Sequence, residues 1–145
     1  ELNIGEALAP VVVRAVKKYV DPSAINIIDA APGTACPVVE AVQDSDAVLL
    51  VTEPTPFGLN DLKLSVDMVR ELGLPAGTVI NRAGIGDGRV QEYLRREGIP
   101  LLAEIPDDRR VAEAYSRGKL MTDEIFEYRQ VFQELADTVT ERTVK

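Results

Sequence analysis

The chain has no histidine and no tryptophan, and only one cysteine, two methionines and three phenylalanines among its 145 residues. Without histidine, imidazole acid–base catalysis, Ser-His-Asp triads and His-ligated metal sites are excluded. A lone cysteine forms no internal disulfide and fits a reducing compartment. Basic residues are in the minority: 16 Lys and Arg stand against 24 Asp and Glu, a formal charge of −8. A nucleic-acid partner is therefore not expected, because a phosphate backbone needs a basic footprint. No apolar run reaches membrane-spanning length and no basic-then-apolar leader opens the chain, so a cytoplasmic location is expected.

What is present is the composition of an ordinary folded domain, 46% hydrophobic and 28% charged. Residues 1–145 are long enough for one domain with a real core, and the chain shows no repeat, linker or low-complexity stretch. Helix-like and strand-like segments alternate with short punctuation, the pattern of a mostly parallel α/β sheet flanked by helices. An opening helix carries Leu8, Val12, Ala15, Val16 and Tyr19 on one face and closes at Asp21-Pro22. Strands are expected at Ile25–Asp29, at Ala47–Thr52 (continuous enough to be buried on both faces), at Gly77–Asn81 and at Leu101–Ile105. Helices are expected after Cys36-Pro37, after a cap at Asn60 or Asp61, from Asp87 to Glu97, and from Pro106-Asp107 to Gly118. A last helix runs from about Asp123 to Thr140.

The stretch Ile27-Ile-Asp-Ala-Ala-Pro-Gly-Thr-Ala-Cys-Pro37 is the most informative in the chain. An apolar run delivers Asp29 to a strand end, and a Pro-Gly turn with Cys36 follows. One reading is a Walker B aspartate entering a nucleotide-sensing loop, in which Asp29 organises Mg²⁺-bound water and Gly33 admits a backbone N–H to a terminal phosphate. The other is a strand ending in Asp and turning through Pro-Gly. Ligands in open α/β sheets bind beyond the carboxyl ends of the strands, where Asp29, Glu53, Asn81-Arg82 and Pro106-Asp107 would converge. Asn81 can read the edge of adenine with its amide, or simply hold a left-handed turn. Asp107 can cap a helix and Glu53 can be a plain loop residue.

Four segments carry a resemblance. Ile27 to Glu40, Val48-Leu-Leu-Val-Thr-Glu-Pro-Thr-Pro-Phe-Gly-Leu59, and Val79-Ile-Asn-Arg82 with Ile105-Pro-Asp107 are similar to the MinD/ParA superfamily of P-loop ATPases. They most resemble the branch with an inserted ferredoxin-type iron–sulfur module. The similarity runs from about Gly5 to Leu120. It implies a P-loop NTPase-like fold, ATP or ADP with Mg²⁺ as cofactor, Asp29 as the Walker B-type residue and Gly33 as the switch glycine. It also implies that Asn81 and Arg82, with Pro106 and Asp107, bind the nucleotide, and that a homodimer or an upstream segment is the partner. The offset of Cys36 from Asp29 resembles that of a cluster-ligating cysteine in nitrogenase iron protein. One thiol per chain is too few for a four-thiolate cluster in a simple dimer. An iron–sulfur cluster is therefore expected only in the full-length protein, and Cys36 also reads as a small packing residue.

The sequence departs from the family at the phosphate end. Its only Gly-Lys pair, Gly118-Lys119, follows a helix, has Glu113 in place of the loop's first glycine and leads into Leu120. The chain thus resembles the C-terminal part of a larger ATPase, lacking the P-loop and its strand, and inactive alone. In the family that strand lies between the ones resembling Ile25–Asp29 and Ala47–Thr52. Its loss implies either direct pairing of those two, a strand from another copy, or a longer protein. Association or marginal stability follows. Three functions are carried: part of a MinD-like ATPase coupling ATP to an iron–sulfur or partner-binding event, a non-catalytic partner-binding module, and a relative of cobyrinic acid a,c-diamide synthase.

Overall fold

The computed structural model describes residues 8–143, beginning with α1 (Leu8–Lys17) and α2 (Cys36–Val42). Three apolar runs then form strands: β1 (Val48–Thr52), β2 (Ala76–Ala83) and β3 (Leu101–Pro106). All pairings are parallel, in the spatial order β1-β2-β3. Parallel neighbours need crossovers. These are α3 (Pro56–Glu71) between β1 and β2, and α4 (Arg89–Glu97) between β2 and β3. After β3 come α5 (Arg109–Ser116), α6 (Met121–Glu124) and α7 (Phe126–Thr143).

The two-residue period of a strand sends adjacent side chains to opposite faces, and β2 shows it directly. Ile80 packs with Leu50, Leu62, Val66, Val69 and Leu94, burying α3 and α4 against one face. Val79 packs with Ile105, Ile125, Tyr128 and Leu135, burying α7 against the other. The result is an α/β sheet flanked by helices on both faces, as expected.

Several expectations are corrected. Residues Ile25–Asp29 form no strand: the segment is irregular, with Ile25 77% and Ile27 93% exposed. A strand is a pairing, and no described residue pairs with this run, so its apolar character leads to nothing local. The direct pairing of that run with Ala47–Thr52 is accordingly not seen. The sheet has three strands among the described residues, where four were expected. β1 is buried on one face only, since Leu50 and Thr52 are covered while Val51 is 64% exposed. On that side of the sheet α7 packs over Val79 of β2 and Ile105 of β3. The opening helix stops at Lys17, and Val12, Val16 and Tyr19 are exposed. α1 instead packs on α2 through Arg14–Glu40 and Lys17–Asp44 pairs.

The capping residues also shift. α3 begins earlier than Asn60, at Thr55, whose hydroxyl accepts the Gly58 N–H at 3.0 Å with Pro56 in the first turn. Gly88, not Asp87, caps α4, although the Asp87 carboxylate accepts the Arg89 N–H at 3.3 Å. Asp108, not Asp107, caps α5. The last helix is split at Ile125, which is buried.

Candidate functional site

The carboxyl ends of the strands are locked together by close backbone approach. The Thr52 hydroxyl donates to the Gly58 carbonyl at 3.0 Å, folding the start of α3 onto the end of β1. A Cβ on Gly58 would run into the Glu53 carbonyl, and one on Gly86 into the Pro54 carbonyl. Only glycine fits at either place. The loop leaving β2 therefore rests directly on the loop leaving β1.

At the centre lies Arg82. The β2–β3 register passes from Asn81↔Ile105 to Ala83↔Pro106, so Arg82 is the extra residue of a bulge. Among the described residues it is the one non-glycine with positive φ, at 55°. Such a conformation costs an L-residue energy and persists only where the surroundings fix it. Asn81 contributes to that fixing, because its side-chain oxygen accepts the Arg82 backbone N–H at 3.0 Å. The left-handed residue anticipated at Asn81 is thus its neighbour, and Asn81 supports it.

The bulge aims the Arg82 side chain across the sheet edge. Its Nε donates to Asp107 Oδ1 at 2.9 Å, and its Nη1 lies 3.7 Å from Glu53 Oε2. Hydrogen bonding to Asp107, then the charges of Asp107 and Glu53, hold the guanidinium above its ordinary pKa. The Asp107 N–H donates to the Ala83 carbonyl at 3.0 Å, tying β3's end to β2. One cation therefore connects the ends of all three strands. Released from helix capping, Asp107 has one oxygen on Arg82, and no hydrogen bond or ion pair among the described residues reaches the other.

Next to it, Asp108 organises a second node. It accepts the Arg110 backbone N–H at 2.8 Å, the Arg110 Nε at 2.9 Å and the Tyr128 hydroxyl at 3.1 Å. The Arg110 contacts, with the Tyr128 bond, pull its carboxyl down to about 2. This joins α5 to α7. Pro106, Asp107, Asp108, Arg110, Glu127 and Tyr128 line an open groove of 480 Å³ beside the strand ends. The sequence marks Tyr128 only as a buried position of the last helix, which it is, and gives Arg110 no mark as a site residue. Their only signal was helical periodicity beside the capping aspartate.

The Asp29–Cys36 loop is separate in its contacts. Asp29, Gly33 and Cys36 are exposed, and no hydrogen bond or ion pair among the described residues links them to Asn81, Arg82 or Asp107. Gly33 has φ 96° and open space where a Cβ would sit. Among the described residues no group of three or more Cys, Asp and Glu is placed to hold a metal ion.

A parallel sheet with helices on both faces and polar groups gathered at its carboxyl edge is the P-loop NTPase-like class of α/β fold. No protein-family model matches the chain. Similarity to known proteins is nevertheless clear. An uncharacterised protein of Methanocaldococcus jannaschii is 40% identical over 119 residues, 81% of this chain and 41% of that protein. The iron–sulfur cluster carrier protein of Aquifex aeolicus is 30% identical over 108 residues, 64% of this chain and 30% of that protein. The septum site-determining protein MinD of Pyrococcus horikoshii, solved in complex with Mg-ADP, superposes with a TM-score of 0.66 at 27% identity. That match covers 91% of this chain and 55% of that one. In sequence and fold the chain is thus similar to MinD-type P-loop ATPases and to iron–sulfur cluster carrier proteins. It spans well under half the length of these curated relatives.

Proposed function

We propose that these residues form one domain-sized part of a MinD-like ATPase that couples ATP binding and hydrolysis to an iron–sulfur or partner-binding event. The strand-end cluster of Asn81, Arg82, Pro106 and Asp107 takes the base end of the nucleotide. The observation that carries this reading is the convergence of Asn81 and Asp107 on one edge through Arg82. With its oxygen on the Arg82 N–H, Asn81 keeps its amide hydrogens as donors, and Asp107 keeps one oxygen as acceptor. A donor beside an acceptor matches the ring nitrogen and exocyclic amine of adenine.

The described residues fit the base end of a nucleotide better than its phosphate end. Asp29 is a lone exposed carboxylate, suited to orient metal-bound water but not to hold a metal unaided. The left-handed Gly33 leaves its backbone accessible to an anion. Bound Mg²⁺-ATP would supply the phosphoryl chemistry; Asp29 and Gly33 would sense it. Cys36 offers one thiol, so a cluster handled by the whole protein would need ligands besides it.

The test is nucleotide titration and turnover in the natural full-length protein. Asp29→Ala is expected to abolish Mg²⁺-dependent turnover while leaving ADP affinity within about threefold. Asn81→Asp keeps the acceptor for Arg82 but loses the donor, and ATP affinity should fall about tenfold, the scale of one hydrogen bond. Equal affinity and turnover in wild type and Asp29→Ala would overturn the assignment. No nucleotide binding by the wild type would favour the non-catalytic partner-binding module.

A further inference from the structure

The geometry points to Arg82 as a positioning residue that sets base discrimination without touching the nucleotide, an inference that rests on the function proposed above. Its side chain is turned toward the protein: Nε is hydrogen-bonded to Asp107 at 2.9 Å and Nη1 lies 3.7 Å from Glu53. Its backbone N–H is hydrogen-bonded to Asn81. The two groups offered to a base are thus each held by a different part of the same residue. The Asn81 amide is turned by the Arg82 main chain, and the Asp107 carboxylate by the Arg82 side chain.

Stability does not account for this arrangement. The three charged side chains are 42–50% exposed. Ion pairs at that exposure are weak in water. A left-handed arginine is unfavourable against the glycine that would fit the same bulge. A strained residue carrying weak pairs is retained for orientation. Glu53 extends the effect to the loop after β1, which Gly58 and Gly86 already clamp. With the guanidinium removed, Asp107 is free to turn, and the donor–acceptor pair loses its fixed spacing.

Arg82→Gly separates the two functions of the residue. Glycine adopts φ 55° freely and keeps the N–H for Asn81, so the bulge survives while the guanidinium is gone. The probes are ATP and inosine triphosphate, which presents a carbonyl where ATP presents an amine, titrated into the natural full-length protein. The wild type should prefer ATP, and Arg82→Gly should lower that preference about tenfold with the melting temperature nearly unchanged. Asp107→Asn should lower it similarly, and combining the two changes should add little. Equal weakening of both nucleotides would make Arg82 a direct phosphate contact and overturn the inference, as would an unchanged preference. If Arg82→Gly does not fold, Arg82→Lys decides, since lysine keeps the charge but not the planar fork. Retained wild-type preference in Arg82→Lys would then refute positioning by the fork. A wild type that binds neither nucleotide refutes the proposed function itself, a result distinct from all of these.

Discussion

Asp107 and Asp108 are adjacent, chemically identical and put to different uses. Asp108 enters the helix cap and is held by Arg110 and Tyr128, while Asp107 turns to Arg82 at the sheet edge. Reading Asp107 as the cap was off by one residue, because capping propensity does not distinguish two consecutive aspartates. The difference has a consequence for acid stability. The Asp108 carboxyl titrates at about 2 when folded, against an ordinary 3.8. Between those values the unfolded chain binds more protons, so stability rises with pH. The contribution is complete above pH 4 or so and is lost as pH falls toward about 2. Asn caps helices as well as Asp does but carries no charge. Asp108→Asn should therefore be less stable than wild type near neutrality, and the gap should close at about pH 2. Thermal melts across pH 2–7 check this, and a gap independent of pH would mean that the Asp108 charge contributes nothing.

At the level of elements, what was legible in the sequence depended on whether an element's partners lie nearby along the chain. β1, β2 and β3 with their crossover helices were readable because each apolar run packs on the next element along the chain. The start of α3 was misplaced by several residues, yet Thr55-Pro56 carries a cap followed by a first-turn proline. Thr55→Ala should cost about 1 kcal/mol, as loss of an N-cap does. Alanine at Asn60, an exposed position inside the helix, should cost no more than a few tenths, and at Asp61 little more, since neither caps the helix. Urea unfolding of the three variants separates them, and equal midpoints would remove Thr55 from its capping role. The bulge at Arg82 was not legible at all. Positive φ usually announces itself through glycine, and here it is imposed on an arginine by its neighbours' hydrogen bonds.

For the molecule as a whole, exposed apolar residues gather on β1 and in the segment ahead of α2. Among the described residues β1 pairs only with β2, so its other edge presents backbone N–H and C=O groups to no neighbouring strand. Val51 and Leu49 are exposed on the same strand, and Ile25 and Ile27 are exposed in the irregular segment ahead of α2. An open edge beside β-branched residues is a template for another strand, because pairing satisfies the backbone and buries the side chains together. Residues 1–145 in isolation are therefore expected to associate as concentration rises. Lysine on an exposed edge position opposes such pairing, since a charge cannot be buried against a neighbouring strand without a partner. Val51→Lys leaves both cores untouched, as Val51 is largely exposed and belongs to neither buried cluster. Light scattering after size exclusion should show wild-type mass increasing with concentration and Val51→Lys staying monomeric with an unchanged melting temperature. A wild-type chain that remains monomeric would mean that this edge is protected within the chain itself. A Val51→Lys chain that still associates would move the contact away from β1, to the apolar face that α1 presents through Val12 and Val16.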